Sequence, residues 1–279
     1  MPAAPKPRLV ETSPTVPLIK LKDGNRIPQL GMGVWEVDPE ITARVVRDGI
    51  AAGFRLIDTA EGYHNEEGVG EAIRTAGVAR KELFITSKLR NGGHDRDAAL
   101  KSFDATMTAL GLEQLDMFLI HWPVPSQGKY VEAWKALVEL QQQGRVRSIG
   151  VSNFNADHLE RIMKETGVAP VVDQIELHPY FQQRDKRDFL ARHGVHIECY
   201  SPLGHGDVLK DQAIAQIAKA HGKTVAQVVI RWHIEHEIVV IPKSANADRI
   251  AENADVFDFA LTEDEVAALD RLGAGARRD

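Results

Sequence analysis

Residues Gly53–Glu67 read GFRLIDTAEGYHNEE, an apolar run that ends on Asp58, followed by a short loop that presents Tyr63. The same pattern, an apolar run closing on an ionisable residue, occurs twice more. Leu83-Phe-Ile-Thr-Ser-Lys88 ends on a lysine and Leu115-Asp-Met-Phe-Leu-Ile-His121 on a histidine. Short apolar runs of this kind are the signature of buried parallel strands. In a parallel barrel the C-terminal strand ends converge on one face, where reacting groups gather. Asp58, Tyr63, Lys88 and His121 are therefore expected to meet in one pocket. Their chemistry is complementary. A phenol is a weak proton donor at neutral pH, its unperturbed pKa being about 10. A neighbouring Lys88 ammonium is expected to stabilise the phenolate and lower that value. Asp58 keeps the lysine charged and in place, and His121 can hydrogen-bond the oxygen that Tyr63 protonates. The set suits protonation of a developing alkoxide, as in reduction of a carbonyl.

Strands and helices alternate outward from this stretch. Pro17–Leu21 and Arg26–Leu30 flank Asp23-Gly24, a strong hairpin signal. Further strands are predicted to begin near residues 31, 55, 83, 115, 146, 171, 196 and 238, with the spacing that βα units require. Helix signals lie between them. Asp38-Pro39 is an N-cap with proline at the first helical position, ahead of Val45, Val46 and Ile50. Asp95 opens a helix carrying Leu100, Phe103, Met107 and Leu110 and stopped by Gly111. Trp134 and Leu137 face inward on the next, which Gly144 ends. Asn155 caps one carrying Leu159, Ile162 and Met163, closed by Gly167. Two helices are predicted near 211–220 and 225–236, the second opened by the capping box Thr224/Gln227. A second box, Thr262/Glu265, starts a last helix with Val266, Leu269 and Leu272. The chain thus reads as α/β, a (β/α)₈ TIM barrel over residues 16–279 as a single domain, with the N-terminal hairpin capping the barrel bottom and residues 1–15 a flexible lead-in.

Composition narrows the function. With 43% apolar and 27% charged residues and a net charge of −6, the chain is an ordinary globular one, and it has no basic tract for nucleic acid. The sole cysteine, Cys199, excludes an internal disulfide and fits a reducing cytoplasm. No apolar run approaches the roughly 18 residues of a membrane span, and the proline-rich start lacks the apolar centre of a secretory signal. A cytoplasmic monomer acting on a small molecule is expected. No HxH or HExxH spacing supports a metal site, and a metal-dependent hydrolase lacks the ligands at the early strand ends. Trp134 and Trp232 read as core, Cys199 as inert, His178 as structural, and the remaining histidines as mostly surface.

With these segments in view, the chain resembles the aldo-keto reductases from about Val16 to Leu272. The residues that carry the resemblance are Gly53–Glu66, Ser87-Lys88, His121-Trp122-Pro123, Gly150-Val-Ser152-Asn153-Phe154, Gln174-Ile-Glu-Leu-His178-Pro179 and Ile241-Pro-Lys243-Ser244. Asn65–Gly70 and Val256–Phe259 are similar to the bacterial 2,5-diketo-D-gluconate reductase branch. The resemblance implies NADPH-dependent reduction of aldehydes and ketones, with Asp58, Tyr63, Lys88 and His121 as the catalytic tetrad and Tyr63 as proton donor. It implies that Ser152, Asn153 and Gln174 hold the nicotinamide carboxamide and that Tyr200 stacks on its ring. Ser201, Leu203 and Gly204 would face the pyrophosphate, Lys243, Ser244 and Arg249 the 2′-phosphate, and Glu252 and Asn253 the adenine. Trp35 and Trp122 would line the substrate pocket. Small dicarbonyl or keto-sugar substrates follow, such as 2,5-diketo-D-gluconate or methylglyoxal.

This mode of binding explains why no GxGxxG follows a strand, Gly31-Met-Gly33 lacking the third glycine. Two departures matter. Ala245-Asn246-Ala247-Asp248 stands where relatives carry an additional arginine, which implies a weaker preference for NADPH over NADH. Only Gly273–Asp279 follow Leu272, which implies either a more open, less selective pocket or a chain that continues past Asp279. The rival reading is a slow-turnover NADPH-binding redox sensor on the same fold. The intact tetrad and the lack of a long partner-binding insertion favour an enzyme.

Overall fold

Successive side chains on a strand point to opposite faces, and this alternation decides which residues of each apolar run reach the barrel interior. The computed structural model describes residues 16–273. The expected lead-in over residues 1–15 and the residues after 273 lie outside the described part. The chain runs through β1 (Leu18–Lys20), β2 (Arg26–Pro28), β3 (Gly31–Gly33), α1 (Pro39–Ala52), β4 (Leu56–Asp58), α2 (Glu66–Thr75), β5 (Phe84–Leu89), α3 (Arg96–Leu110), β6 (Leu115–Ile120), α4 (Tyr130–Gln142) and β7 (Val146–Ser152). It continues through α5 (Ala156–Thr166), β8 (Val172–Glu176), α6 (Arg184–His193), β9 (His196–Tyr200), α7 (Gln212–His221), α8 (Val225–Glu235), β10 (Val239–Val240), α9 (Ala247–Ala254) and α10 (Glu263–Leu272). Strands β3 to β10 form one eight-stranded parallel sheet in chain order. A parallel bridge between Leu30 and Val240 closes it into the predicted barrel.

Two apolar layers follow from the alternation. Ile57, Ile85, Phe118, Ile120, Ile149, Val151, Ile175 and Val240 point outward and pack under the helices, against Val45, Val46, Phe103 and Leu137 among others. Leu56, Phe84, Met117, Leu119, Val172 and Val239 point inward and fill the lower barrel together with Leu21 and Ile27 of the hairpin segment. The hairpin β1–β2 therefore closes the N-terminal mouth, as expected. Its turn is tied down by Ser148 Oγ donating to Asp23 Oδ2 (2.7 Å) and Asn25 Nδ2 donating to Arg147 O (3.2 Å). Two residues after Leu56, Phe84, Leu119 and Val172 the chain carries Asp58, Thr86, His121 and Gln174, so the upper barrel is where the chemistry lies.

The helix caps agree with the sequence reading. Asp38 accepts from Glu40 N, and both capping boxes, Thr224/Gln227 and Thr262/Glu265, are formed. Three helices, α2, α6 and α9, carry no strong sequence signal. α6 buries only Phe189 and Leu190, and α9 only Ile250 and Asn253. In α2 the packing face is built from small residues. A Cβ on Gly70 would stand 2.4 Å from the backbone oxygen of Leu110, so glycine is what lets α2 lie against α3. Trp134 and Trp232 are fully buried. Of the nine histidines other than His121 and His178, six are at least partly exposed, in keeping with the expectation that they lie mostly at the surface, and the buried histidines are His94, His158, His178 and His233. Each of them sits where a polar neighbour meets the ring, as when His233 Nε2 lies 2.9 Å from Leu177 O.

Gly70→Ala is expected to force α2 and α3 apart against a backbone atom that cannot rotate away. The loss should be about 1–3 kcal/mol, the usual cost of overpacking a filled site, measured as a lowered urea midpoint with unchanged m-value.

Candidate active site

Lys88 stands at the centre of the upper barrel with no exposure to solvent. An ammonium there must be satisfied by protein groups, and its three donors are. Nζ lies 2.6 Å from Asp58 Oδ1, 2.9 Å from Thr59 O and 3.2 Å from Tyr63 Oη. The Asp58 pairing comes from register. Asp58 is inward-facing at the last residue of β4, beside β5 with its Lys88. Tyr63 reaches the ammonium from a 3₁₀ turn, Glu61–Tyr63, that follows β4. The turn is clamped from below by Asn65, whose Nδ2 donates to Val34 O (2.9 Å) while its Oδ1 accepts from Thr59 Oγ1 (3.1 Å). Glu66 adds a second clamp, accepting from Ser87 Oγ at 2.5 Å. His121 follows β6, and its ring meets the Tyr63 ring edge to face at 5.6 Å. The four residues spread along the sequence do converge.

Burial would lower Lys88, but the Asp58 carboxylate and Tyr63 outweigh it and hold the ammonium above its ordinary range. Burial pushes Asp58 upward, against the Lys88 charge and the hydrogen bonds from Lys88 and Gln174. The two directions pull against each other for one pair. The 2.6 Å contact, with a further N–H from Gln174 on the other carboxylate oxygen, favours the ionised pair. For Tyr63 the outcome departs from expectation. Burial raises the phenol, Asp58 and Glu198 raise it further, and the lowering by Lys88 does not compensate. The reason is that Lys88 arrives already neutralised by Asp58, while desolvation penalises a phenolate in full. Tyr63 thus keeps its proton until a stronger base develops beside it. Burial and the Lys88 charge push His121 down to about 3, so its imidazole is neutral near pH 7 and acts as a hydrogen-bonding group.

Above this floor opens a cavity of about 600 Å³, lined by Asp58, Tyr63 and His121 and by side chains from most of the other strand ends. Trp35 and Trp122 stand on its rim, 47% and 44% exposed, as pocket walls rather than core. Ser152, Asn153, Gln174, Tyr200, Ser201, Leu203 and Lys243 also line it. Asn153 adopts φ +61°, a left-handed conformation that asparagine tolerates. That conformation turns its amide across the cavity, where Nδ2 donates to His121 O (3.2 Å) and Oδ1 accepts from Tyr200 Oη (2.8 Å). Gln174 Nε2 donates both to Asp58 Oδ2 (2.8 Å) and to Glu198 Oε2 (3.0 Å). Only the oxygen of the Gln174 amide is therefore left for the cavity. Gly204 lies beneath the lining, where a Cβ would come within 3.1 Å of the His178 ring.

The remaining residues implied for a nucleotide sit beside the cavity rather than in it. Ser244 follows Lys243, and Arg249, Glu252 and Asn253 are on α9. Arg249 and Lys243 are exposed and engage no carboxylate among the described residues. Glu252 Oε1 accepts from Thr224 Oγ1 (2.8 Å), and Asn253 is buried. Sequence reasoning passed over Glu198, Glu176, His205 and Leu209, which belong to the cavity or its floor. For Glu198 a signal was present. It shares the inward parity of Tyr200 on β9, and a carboxylate at an inward position of a buried strand needs a reason.

Removing the ammonium tests whether the pair holds the site together. Lys88→Met leaves Asp58 as an unpaired buried charge and should cost about 3–5 kcal/mol in urea unfolding. Asp58→Asn with Lys88→Met removes that charge and should recover most of the loss. If the double variant is no more stable than the single one, the pair is not what Lys88 satisfies.

The comparisons with known proteins agree with this geometry. The model of the family described as "Aldo/keto reductase family" matches residues 28–274. An aldo-keto reductase of Mycolicibacterium smegmatis is 50% identical over 261 residues, covering 94% of this chain and 95% of that protein. The methylglyoxal reductase DkgA of Escherichia coli strain K12 is 49% identical over 269 residues, covering 95% and 96%. A crystal structure of a point variant of Gox0644 in complex with NADPH superposes with a TM-score of 0.90 at 49% identity, covering 93% of this chain and 94% of that one. By sequence, by fold and by the residues at its strand ends, the chain belongs to the aldo/keto reductase family.

Proposed function

We propose that the protein reduces aldehydes and ketones to alcohols with NADPH, Tyr63 supplying the proton. The observation that carries this reading is the Tyr63 phenol at the cavity floor, 3.2 Å from an ammonium whose own charge is fixed by Asp58. The cavity suits the cofactor. Gln174 Oε1 accepts no hydrogen bond from the described residues and can receive the carboxamide N–H of a nicotinamide. Ser152 and Asn153 frame the same place, and the Tyr200 ring offers a face for stacking. Lys243 and Arg249, with the N-terminus of α9, form a cationic end for the 2′-phosphate. The nearby residues Ser201, Leu203 and Gly204 suit the pyrophosphate, and Ser244, Glu252 and Asn253 the adenosine end.

NADPH, when bound, supplies the hydride. The chain's own residues handle the proton. Tyr63 holds its hydrogen at neutral pH and gives it up as an alkoxide develops, since an alkoxide is a far stronger base than a phenolate. Lys88 stands ready to stabilise the phenolate that remains. Neutral His121 orients the carbonyl oxygen by hydrogen bonding. Trp35 and Trp122 supply an apolar wall that suits compact carbonyl compounds, and a relative's name, methylglyoxal reductase, points to small dicarbonyls as the substrate class. A kinetic screen of aldehydes, ketones, dicarbonyls and keto-sugars with NADPH and with NADH tests the reading. Only marginal turnover of all of them would favour the slow-turnover NADPH-binding redox sensor.

Tyr63→Phe should lower kcat by about a hundred- to ten-thousandfold, the span of general acid catalysis, while NADPH binding measured by fluorescence stays intact. Near-normal turnover would remove Tyr63 as the acid. Arg249→Ala should weaken NADPH binding about ten- to a hundredfold, since a charge-assisted hydrogen bond contributes about 1.5–3 kcal/mol. NADH binding should stay nearly unchanged. Equal loss of both would place Arg249 in the fold or at the adenine, not at the phosphate.

A further inference from the structure

Glu198 is a fully buried carboxyl on β9, and the proton-transfer steps above make no use of it. It stands opposite Gln174 in the β8–β9 register. Its Oε2 accepts from Gln174 Nε2 at 3.0 Å, and its Oε1 has no hydrogen-bond partner among the described residues. The same Gln174 nitrogen donates to Asp58 Oδ2 at 2.8 Å. Two carboxyl groups therefore share one amide nitrogen, and the single ammonium nearby is already paired to the first of them. An ionised Glu198 would be a second buried anion served by one hydrogen bond, an arrangement a protein interior does not sustain when the group can take up a proton instead.

We infer that Glu198, in its neutral form, is a positioning residue of the reductase site, fixing the Gln174 amide with its oxygen toward the cavity while adding no charge to the Asp58–Lys88–Tyr63 set. The inference rests on the proposed reductase reading. Its geometric part is a matter of counting donors. With both N–H groups of Gln174 taken by Asp58 and Glu198, the amide cannot flip, because flipping would set its oxygen against the Asp58 carboxylate. Gln174 then presents an acceptor, and only an acceptor, to the cofactor.

The electrostatic part concerns what happens when Glu198 loses its proton. The charged and titratable groups that face it are Asp58 from β4, Tyr63 from the turn after it, Lys88 from β5 and Cys199 beside it on β9. Its neighbour in register on β10 is Val239, which carries no charge. Burial and the Asp58 charge, only partly offset by Gln174 and Lys88, push Glu198 up to about 8. Below that pH it is neutral. Above it, a new negative charge joins the set and raises Tyr63 further, making the phenol a poorer acid. The sign is a loss of turnover as pH rises through about 8.

The experiment measures kcat for a reducible aldehyde with NADPH from pH 6 to 10 in wild type and in Glu198→Gln, each normalised to its own value at pH 7. Wild type should fall to a lower level of turnover above an apparent pKa near 8. Glu198→Gln has nothing to ionise there, and its alkaline limb should move up by at least about one pH unit, until Tyr63 titrates. An unmoved limb overturns the electrostatic role. A second arm needs no turnover. Glu198→Leu removes the acceptor from Gln174 and should raise the NADPH dissociation constant about tenfold by fluorescence titration, and Glu198→Gln, whose amide oxygen still accepts, should restore it. Equal NADPH affinity in Glu198→Leu and wild type overturns the positioning role. Wild type that binds NADPH but reduces no carbonyl compound would count against the reductase reading alone, and the binding arm would still decide the inference.

Discussion

A lysine ammonium with no solvent around it dominates the energetics of this protein's upper barrel. Lys88 can stay charged there only because Asp58 on the neighbouring strand neutralises it at 2.6 Å and a backbone carbonyl takes another of its hydrogens. A buried pair of this kind contributes little net stability, but losing one member is expensive. Selection of side chains around it is therefore tightly constrained. Asp58 needs a second donor, which Gln174 supplies. Gln174 needs somewhere for its other N–H, which Glu198 supplies. Tyr63 occupies the remaining direction at the ammonium, and its turn must be held to ångström precision by Asn65. Each polar group of the floor exists to satisfy the one before it.

The arrangement also accounts for the character of the acid proposed here, Tyr63. A tyrosine beside a free ammonium would tend to lose its proton. Beside an ammonium already matched by a carboxylate, and in a buried setting, it keeps it. The site stores a phenol rather than a phenolate, which is the form needed to protonate an alkoxide. His121 is kept neutral by the same two causes, burial and the Lys88 charge, so it does not compete as the proton source.

The barrel divides this work along its axis. Its lower interior is apolar, filled by Leu56, Phe84, Met117, Leu119 and Val172 and stoppered by the hairpin through Leu21 and Ile27. This layer supplies cohesion, large buried aliphatic and aromatic side chains stabilising by about 1.5–3 kcal/mol each. The upper interior gives up that contribution in exchange for polar groups that are nearly all paired. Loops at the same end carry left-handed residues, among them His64, Asn153 and Ser201, conformations that non-glycine residues adopt only where the surroundings hold them. Asn153 and Ser201 line the cavity, and His64 directly follows Tyr63, which does too.

Much of the architecture was legible without coordinates. Apolar runs of strand length gave the eight strands to within about a residue of their observed starts, because a buried parallel strand needs little beyond its own composition. Capping boxes and stop glycines gave the helices that bear apolar stripes. The ionisable residues at three strand ends gave the site, since parallel strands carry their C-termini to one face whatever the loops do. The sequence did not signal α2, α6 and α9, whose packing rests on small residues or on very few buried ones, nor the buried positions of His94, His158 and His233. It also could not decide the proton affinity of Tyr63 or the orientation of Gln174. The first rests on burial, with Lys88, Asp58 and lastly Glu198 acting on it, and the second on Asp58 and Glu198, which are more than a hundred residues apart in the chain and meet at the Gln174 nitrogen. Composition and periodicity are local quantities and determine elements and their order. Charge balance in a buried site is a sum over groups that only the closed barrel brings within reach of one another.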